Sequence, residues 1–164
     1  MVILGIDPGT VRLGYGVILK EKNQLIYLKS GLLNFPSQPL NQRLLAIEKA
    51  FKKLLKETKP NLVGLEKIYF VKNKKTGLAI AQSLGVLLTA ILEKQIPFIE
   101  MTPSEIKKTI SGYGQTDKKG VAKMVGFFLH LKKEEIPKID DVSDALAIAI
   151  CAAFKNIDLN SLIK

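Results

Sequence analysis

One cysteine, one histidine, no tryptophan and two arginines in 164 residues narrow the chemistry open to this chain. A lone Cys151 excludes an intrachain disulfide and any zinc cluster built from several cysteines. Set in the apolar run 145–154, it reads as a small core residue. His130 has no evident triad partner and reads as a surface or helix-end residue, not a ligand. Acids are outnumbered, 15 against 25 basic side chains, giving a formal charge of +10. Because Arg12 and Arg43 are the only arginines, nearly all of the basic charge is lysine. Lysine is a hydrated point charge, better suited to phosphates than to forked recognition of base edges. The balance points to a partner with a phosphate backbone, bound less tightly as salt rises. The bland alternative is a solvated lysine surface.

Long hydrophobic runs are also missing. The apolar stretches near 78–92 and 145–154 fall short of the roughly 20 residues a membrane span needs. No basic region precedes the apolar N-terminal residues, so a signal peptide is not expected. These absences imply a soluble, cytoplasmic protein without membrane partners. A 47% hydrophobic content suits one domain over 1–164, able to bury roughly 70% of its unfolded surface. No repeat, low-complexity segment or interdomain linker interrupts it.

Three β-like runs come first, at about 2–7, 13–19 and 24–34, separated by turn residues that favour antiparallel hairpins. A helix is expected over 39–58, with Leu40, Leu44, Ile47, Phe51, Leu54 and Leu55 on one face. A strand over 61–67 follows. Residues 70–76 form a basic loop before a helix over 76–94, apolar on more than one side and therefore deeply buried or part of a subunit interface. A short strand spans 97–101. Thr102-Pro103-Ser104-Glu105 carries a capping box with proline at the first helical position. Gly112 and Gly114 break that helix; further helices are expected over 117–131 and 140–155. The order predicts an α/β fold, a mixed sheet flanked by helices.

Four carboxylates stand out in this basic chain. Asp7 ends the first strand and Glu66 the fourth, so pairing of those strands would make them neighbours. Asp141 and Asp144, three apart, would share a face of the last helix, with Asp140 as its cap. Carboxylates gathered from three elements suit hard divalent cations, which take oxygen ligands and leave room for water and phosphate. Two such ions about 3.5–4 Å apart can stabilise both the attacking and the leaving oxygen of a phosphodiester cleavage. Taken singly, Asp7-Pro8-Gly9 could be only a turn and Glu66 only a surface acid.

Gly5-Ile6-Asp7-Pro8-Gly9-Thr10, Glu66-Lys67-Ile68-Tyr69-Phe70, Thr102-Pro103, Lys107, Gly112-x-Gly114, Lys118 and Asp141-Val142-Ser143-Asp144 together resemble the bacterial RuvC family of Holliday-junction resolvases. The resemblance runs over nearly the whole chain, in order. It implies an RNase H-like fold with a five-stranded sheet, a homodimer, and magnesium-dependent cleavage of four-way junction DNA during recombination and repair. It also implies two Mg²⁺ per site, with Mn²⁺ a plausible substitute, on Asp7, Glu66, Asp141 and Asp144. Lys107 and Lys118 would stand beside the cleaved strand's phosphates, and Tyr69 against bases at the crossover. Phe70, Lys72, Lys74, Lys75, Gly112 and Gly114 are further candidates for DNA contact. The 76–94 helix is expected in the dimer interface, and coupling to a branch-migration motor is implied by resemblance alone. Lys67, Leu84 and Gln115-Thr116 depart from the family pattern. The first motif also resembles the phosphate loop of actin-like and sugar-kinase ATPases, but no second phosphate loop is evident. An RNA-processing RNase H-like nuclease and a non-catalytic junction-binding module are the remaining alternatives.

Overall fold

A computed structural model describes residues 1–35, 39–67 and 74–155, with Lys74 and Lys75 described by their backbone alone. β1 (Val2–Asp7), β2 (Arg12–Glu21) and β3 (Gln24–Asn34) are followed by α1 (Leu40–Thr58) and β4 (Leu62–Glu66). Then come α2 (Lys74–Glu93), β5 (Phe98–Met101), α3 (Pro103–Ser111), α4 (Lys118–Phe128) and α5 (Asp140–Phe154). The strands form one sheet in the order β3-β2-β1-β4-β5. β1–β2 and β2–β3 pair antiparallel, β1–β4 and β4–β5 parallel, as the element order predicts.

Strand alternation divides the sheet into two faces. Leu4, Ile6, Val63 and Leu65 point to one side, where Ile47, Phe51, Leu54 and Leu55 of α1 and Leu87, Ala90 and Ile91 of α2 cover them. Ile3, Ile18, Leu62 and Met101 point to the other, beneath α5 with α3 and α4 beside it.

α5 lies unusually close to the strands because they carry almost no side chains beneath it. Gly16, Gly5 and Gly64 are register partners across β2, β1 and β4, making a row of three glycines. A Cβ on Gly5 would stand 2.5 Å from the backbone nitrogen of Ala149, and one on Gly16 would stand 2.8 Å from Cα of Leu146. On Gly64 it would press on Ile148 and Ala152. Ala145, Ala149 and Ala152 complete the contact as fully buried small residues. Cys151 is buried in the same helix, its Sγ 3.5 Å from the Ile106 carbonyl, which fits the core role expected of it. His130 is exposed just past α4, in left-handed backbone at φ 53°.

α2 is longer than the apolar run suggested. Thr76–Glu93 has a mean hydropathy of 1.5 over 18 residues, so by length and composition it is long and apolar enough to cross a membrane, contrary to expectation. Its inner face packs on the sheet, while Leu78 and Leu92 are 65% and 60% exposed. Leu84 is half-buried against the same core.

Candidate active site

The glycine row also determines where the acids point. Asp7 lies two residues beyond Gly5 and Glu66 two beyond Gly64, so alternation turns both toward the face that α5 covers. Parallel pairing of β1 with β4 aligns the two strand ends. α5 then brings Asp144 across them. The result is a cleft of about 360 Å³ lined by Asp7, Glu66, Asp144, Lys107 and Lys118, with Pro103, Ile106, Val121 and Ile148 as its apolar walls.

Each lysine is placed by a helix start. In α3, Thr102 and Glu105 form the expected capping box: Glu105 N–H donates to Thr102 Oγ1 at 3.1 Å, and Thr102 N–H donates to Glu105 Oε2 at 2.8 Å. These bonds hold the Glu105 carboxyl down at about 2. Lys107 is the fifth residue of that helix, one turn beyond Pro103. Asp117 caps α4 by accepting from Gly120 N–H at 2.8 Å, which sets Lys118 at the helix's first position. Gly112 ends α3 in left-handed backbone at φ 77°, a conformation that favours glycine. Between the two helices Tyr113 is 78% exposed, an aromatic that sequence patterning did not single out.

Electrostatics inside the cleft favour the neutral forms of its acids. Burial, then the charges of Glu66, Asp144 and Asp141, push the Asp7 carboxyl up to about 8, against the pull of Lys118. Glu66 is raised by burial and by Asp144, with Lys107 and Lys118 opposing. Asp144 is raised chiefly by burial, opposed by Lys118. Carboxylates crowded in a dry cleft are stabilised by a counter-charge, and the chain supplies part of it. Lys118 Nζ lies 3.1 Å from Asp140 Oδ2 and 3.8 Å from Asp144 Oδ2, and the bond to Asp140 is the main reason its own pKa is raised.

One expectation needs revision. Asp140 does not cap α5: the capping position is Ile139, without a side-chain bond, and Asp140 instead pairs with Lys118. Asp141 is not among the side chains lining the cleft; it sits at the rim, with Oδ2 3.1 Å from Arg12 Nε. The strand β2 starts one residue earlier than the hydrophobic pattern indicated, and this puts Arg12 within reach. Among the described residues no three His, Cys, Asp or Glu side chains are arranged as they stand to share a metal ion. The donor set still fits a hard divalent cation. It is all carboxylate oxygen and partly buried, its charged forms disfavoured by burial and mutual repulsion and offset by cationic side chains that a metal could replace. Tyr69, Phe70 and Lys72 lie outside the described residues. Lys74 and Lys75 open α2 and are not in a loop.

Residues 3–152 match the family described as crossover junction endodeoxyribonuclease RuvC. A crossover junction endodeoxyribonuclease RuvC of Thermosipho melanesiensis is 42% identical over 154 residues, covering 93% of this chain and 97% of that one. One from Thermotoga petrophila is 40% identical over 157 residues, covering 95% and 94%. The solved structure of Thermus thermophilus RuvC in complex with a Holliday junction substrate superposes with a TM-score of 0.86 at 32% identity, covering 94% and 93%. The yeast mitochondrial Holliday junction resolvase shares the fold at a TM-score of 0.65 and 14% identity, covering 92% of this chain and 75% of that one.

Proposed function

The chain belongs to the RuvC family, and from that membership we propose that it is a structure-selective endodeoxyribonuclease resolving four-way DNA junctions by paired, symmetric nicks in recombination and repair. The observation that carries this reading is the convergence of Asp7, Glu66 and Asp144 with Lys107 and Lys118 in one open cleft. Acids alone would repel a phosphodiester, and lysines alone would bind one without cutting it.

Asp7, Glu66, Asp144 and, after a side-chain turn, Asp141 are the residues proposed to hold two Mg²⁺ or Mn²⁺ ions. When bound, such ions lower the pKa of an attacking water and stabilise the leaving 3′ oxygen. Asp7 would have to be ionised to hold such an ion, so binding would be linked to release of a proton there. Lys118 and Lys107 offset negative charge growing on the phosphate in the transition state. In-line attack leaves 5′-phosphate and 3′-hydroxyl ends. A two-fold homodimer built on α2 would present two clefts to a two-fold substrate.

The test is cleavage of a synthetic mobile four-way junction against a linear duplex of the same sequence, with Mg²⁺ and with chelator, alongside Asp7→Asn. Symmetric, metal-dependent nicks confined to the junction are expected, and Asp7→Asn should bind the junction without cutting it. Equal cutting of both substrates would keep the nuclease chemistry and remove the junction assignment. Binding without any cutting would favour the non-catalytic module.

A further inference from the structure

Arg12 has no part in the reading above, although it is the arginine paired with Asp141. Alternation along β2 sends its side chain to the same face as Gly14 and Gly16, the face that α5 covers. A Cβ on Gly14 would collide with the backbone carbonyl of Asp141, so the first turn of α5 rests on the strand two residues from Arg12. From there Arg12 Nε reaches Asp141 Oδ2 at 3.1 Å. The Asp141 side chain is 22% exposed and that of Arg12 58%, so the acid is set into the fold while the arginine lies largely in solvent. An oxygen of Asp141 is therefore already engaged by the chain's own charge. A guanidinium is weakly hydrated and forked, and it matches carboxylate and phosphate equally well.

We propose that Arg12 is an exchangeable counter-ion. It holds Asp141 in the metal-free protein, leaves when a divalent cation takes that carboxylate, and then engages the phosphate backbone of bound DNA. A divalent ion on the same oxygen would repel the guanidinium, and the nearest anion outside the acid set is the phosphate chain of the substrate. This rests on the reading of Asp141 as a cation ligand.

Calorimetric titration of Mn²⁺ into the DNA-free protein tests the first half, with thermal unfolding to check that each variant is folded. Arg12→Gln should bind Mn²⁺ about three- to tenfold tighter than wild type, since a competing charge is gone. Arg12→Lys should stay near wild type. The second half is read from the salt dependence of binding to a junction with non-cleavable linkages. With Mn²⁺ present, the slope for Arg12→Gln should be shallower by about 0.9, one phosphate contact, and in chelator it should match wild type. Unchanged or weaker Mn²⁺ binding by Arg12→Gln, with wild type binding normally, would overturn the exchange and leave the proposed function intact. A slope change equal in both conditions would place Arg12 on phosphate throughout and also overturn it. Failure of the wild type to bind Mn²⁺ would remove both readings together.

Discussion

Burial raises the Asp7 carboxyl to about 8, and Glu66, Asp144 and Asp141 add to the effect. The folded value lies above the unfolded one, so folding takes up a proton. The stability this contributes is complete below the unfolded value of 3.8 and is lost as pH climbs toward about 8. Asparagine has the shape without the charge. Metal-free Asp7→Asn should therefore be more stable than wild type by about 1–3 kcal/mol at pH 8, with the difference shrinking toward pH 4. Chemical denaturation across that range measures it, and a constant difference would mean that Asp7 is already ionised in the fold. For the same reason, Mn²⁺ affinity of the wild type should rise between about pH 6 and 8 as the ion displaces a proton. The meeting of Asp7 and Glu66 was legible in the sequence because strand alternation and pairing determine where strand-end side chains point. The three-residue spacing of Asp141 and Asp144, by contrast, did not show that only Asp144 lines the cleft. The ion pairs of Arg12 with Asp141 and Lys118 with Asp140 were not legible either. They depend on how close α5 comes to β2 and α4, and no local pattern encodes that distance.

Elements were legible to within a residue or two wherever periodicity was strong, as in α1 and β3. β2 and α2 start one and two residues earlier than their apolar rhythm indicates, because polar residues there belong to the element. Glycines in the strands read naturally as punctuation, yet Gly5, Gly16 and Gly64 form the seat for α5. Gly5→Ala should lower stability by about 3 kcal/mol or more, because backbone rather than a flexible side-chain end opposes the added carbon. Urea unfolding would show it, and a cost below about 1 kcal/mol would mean that the helix can lift without penalty.

For the whole molecule, Leu78 and Leu92 leave apolar surface on the outer face of α2, where Gly85 has nothing within 4 Å of an added Cβ. If α2 forms the dimer proposed above, Leu92→Glu should weaken self-association by about tenfold or more. Sedimentation over a range of concentrations would detect this, and an unchanged dimer would move the interface elsewhere. The glycine seat has a different consequence for how this enzyme can vary. A helix resting on bare backbone has no cushion of side chains in which a tilt or lift could be absorbed. Its remaining freedom is to slide along its own axis, and each residue of slip would advance Asp141 and Asp144 by about 1.5 Å and rotate them by about 100°. A slip of the helix would thus carry Asp144 out of register with Asp7 and Glu66, which stay on their strands. Catalytic variation in this scaffold should accordingly be concentrated at the rim residues, while the helix and the three strands beneath it tolerate little change.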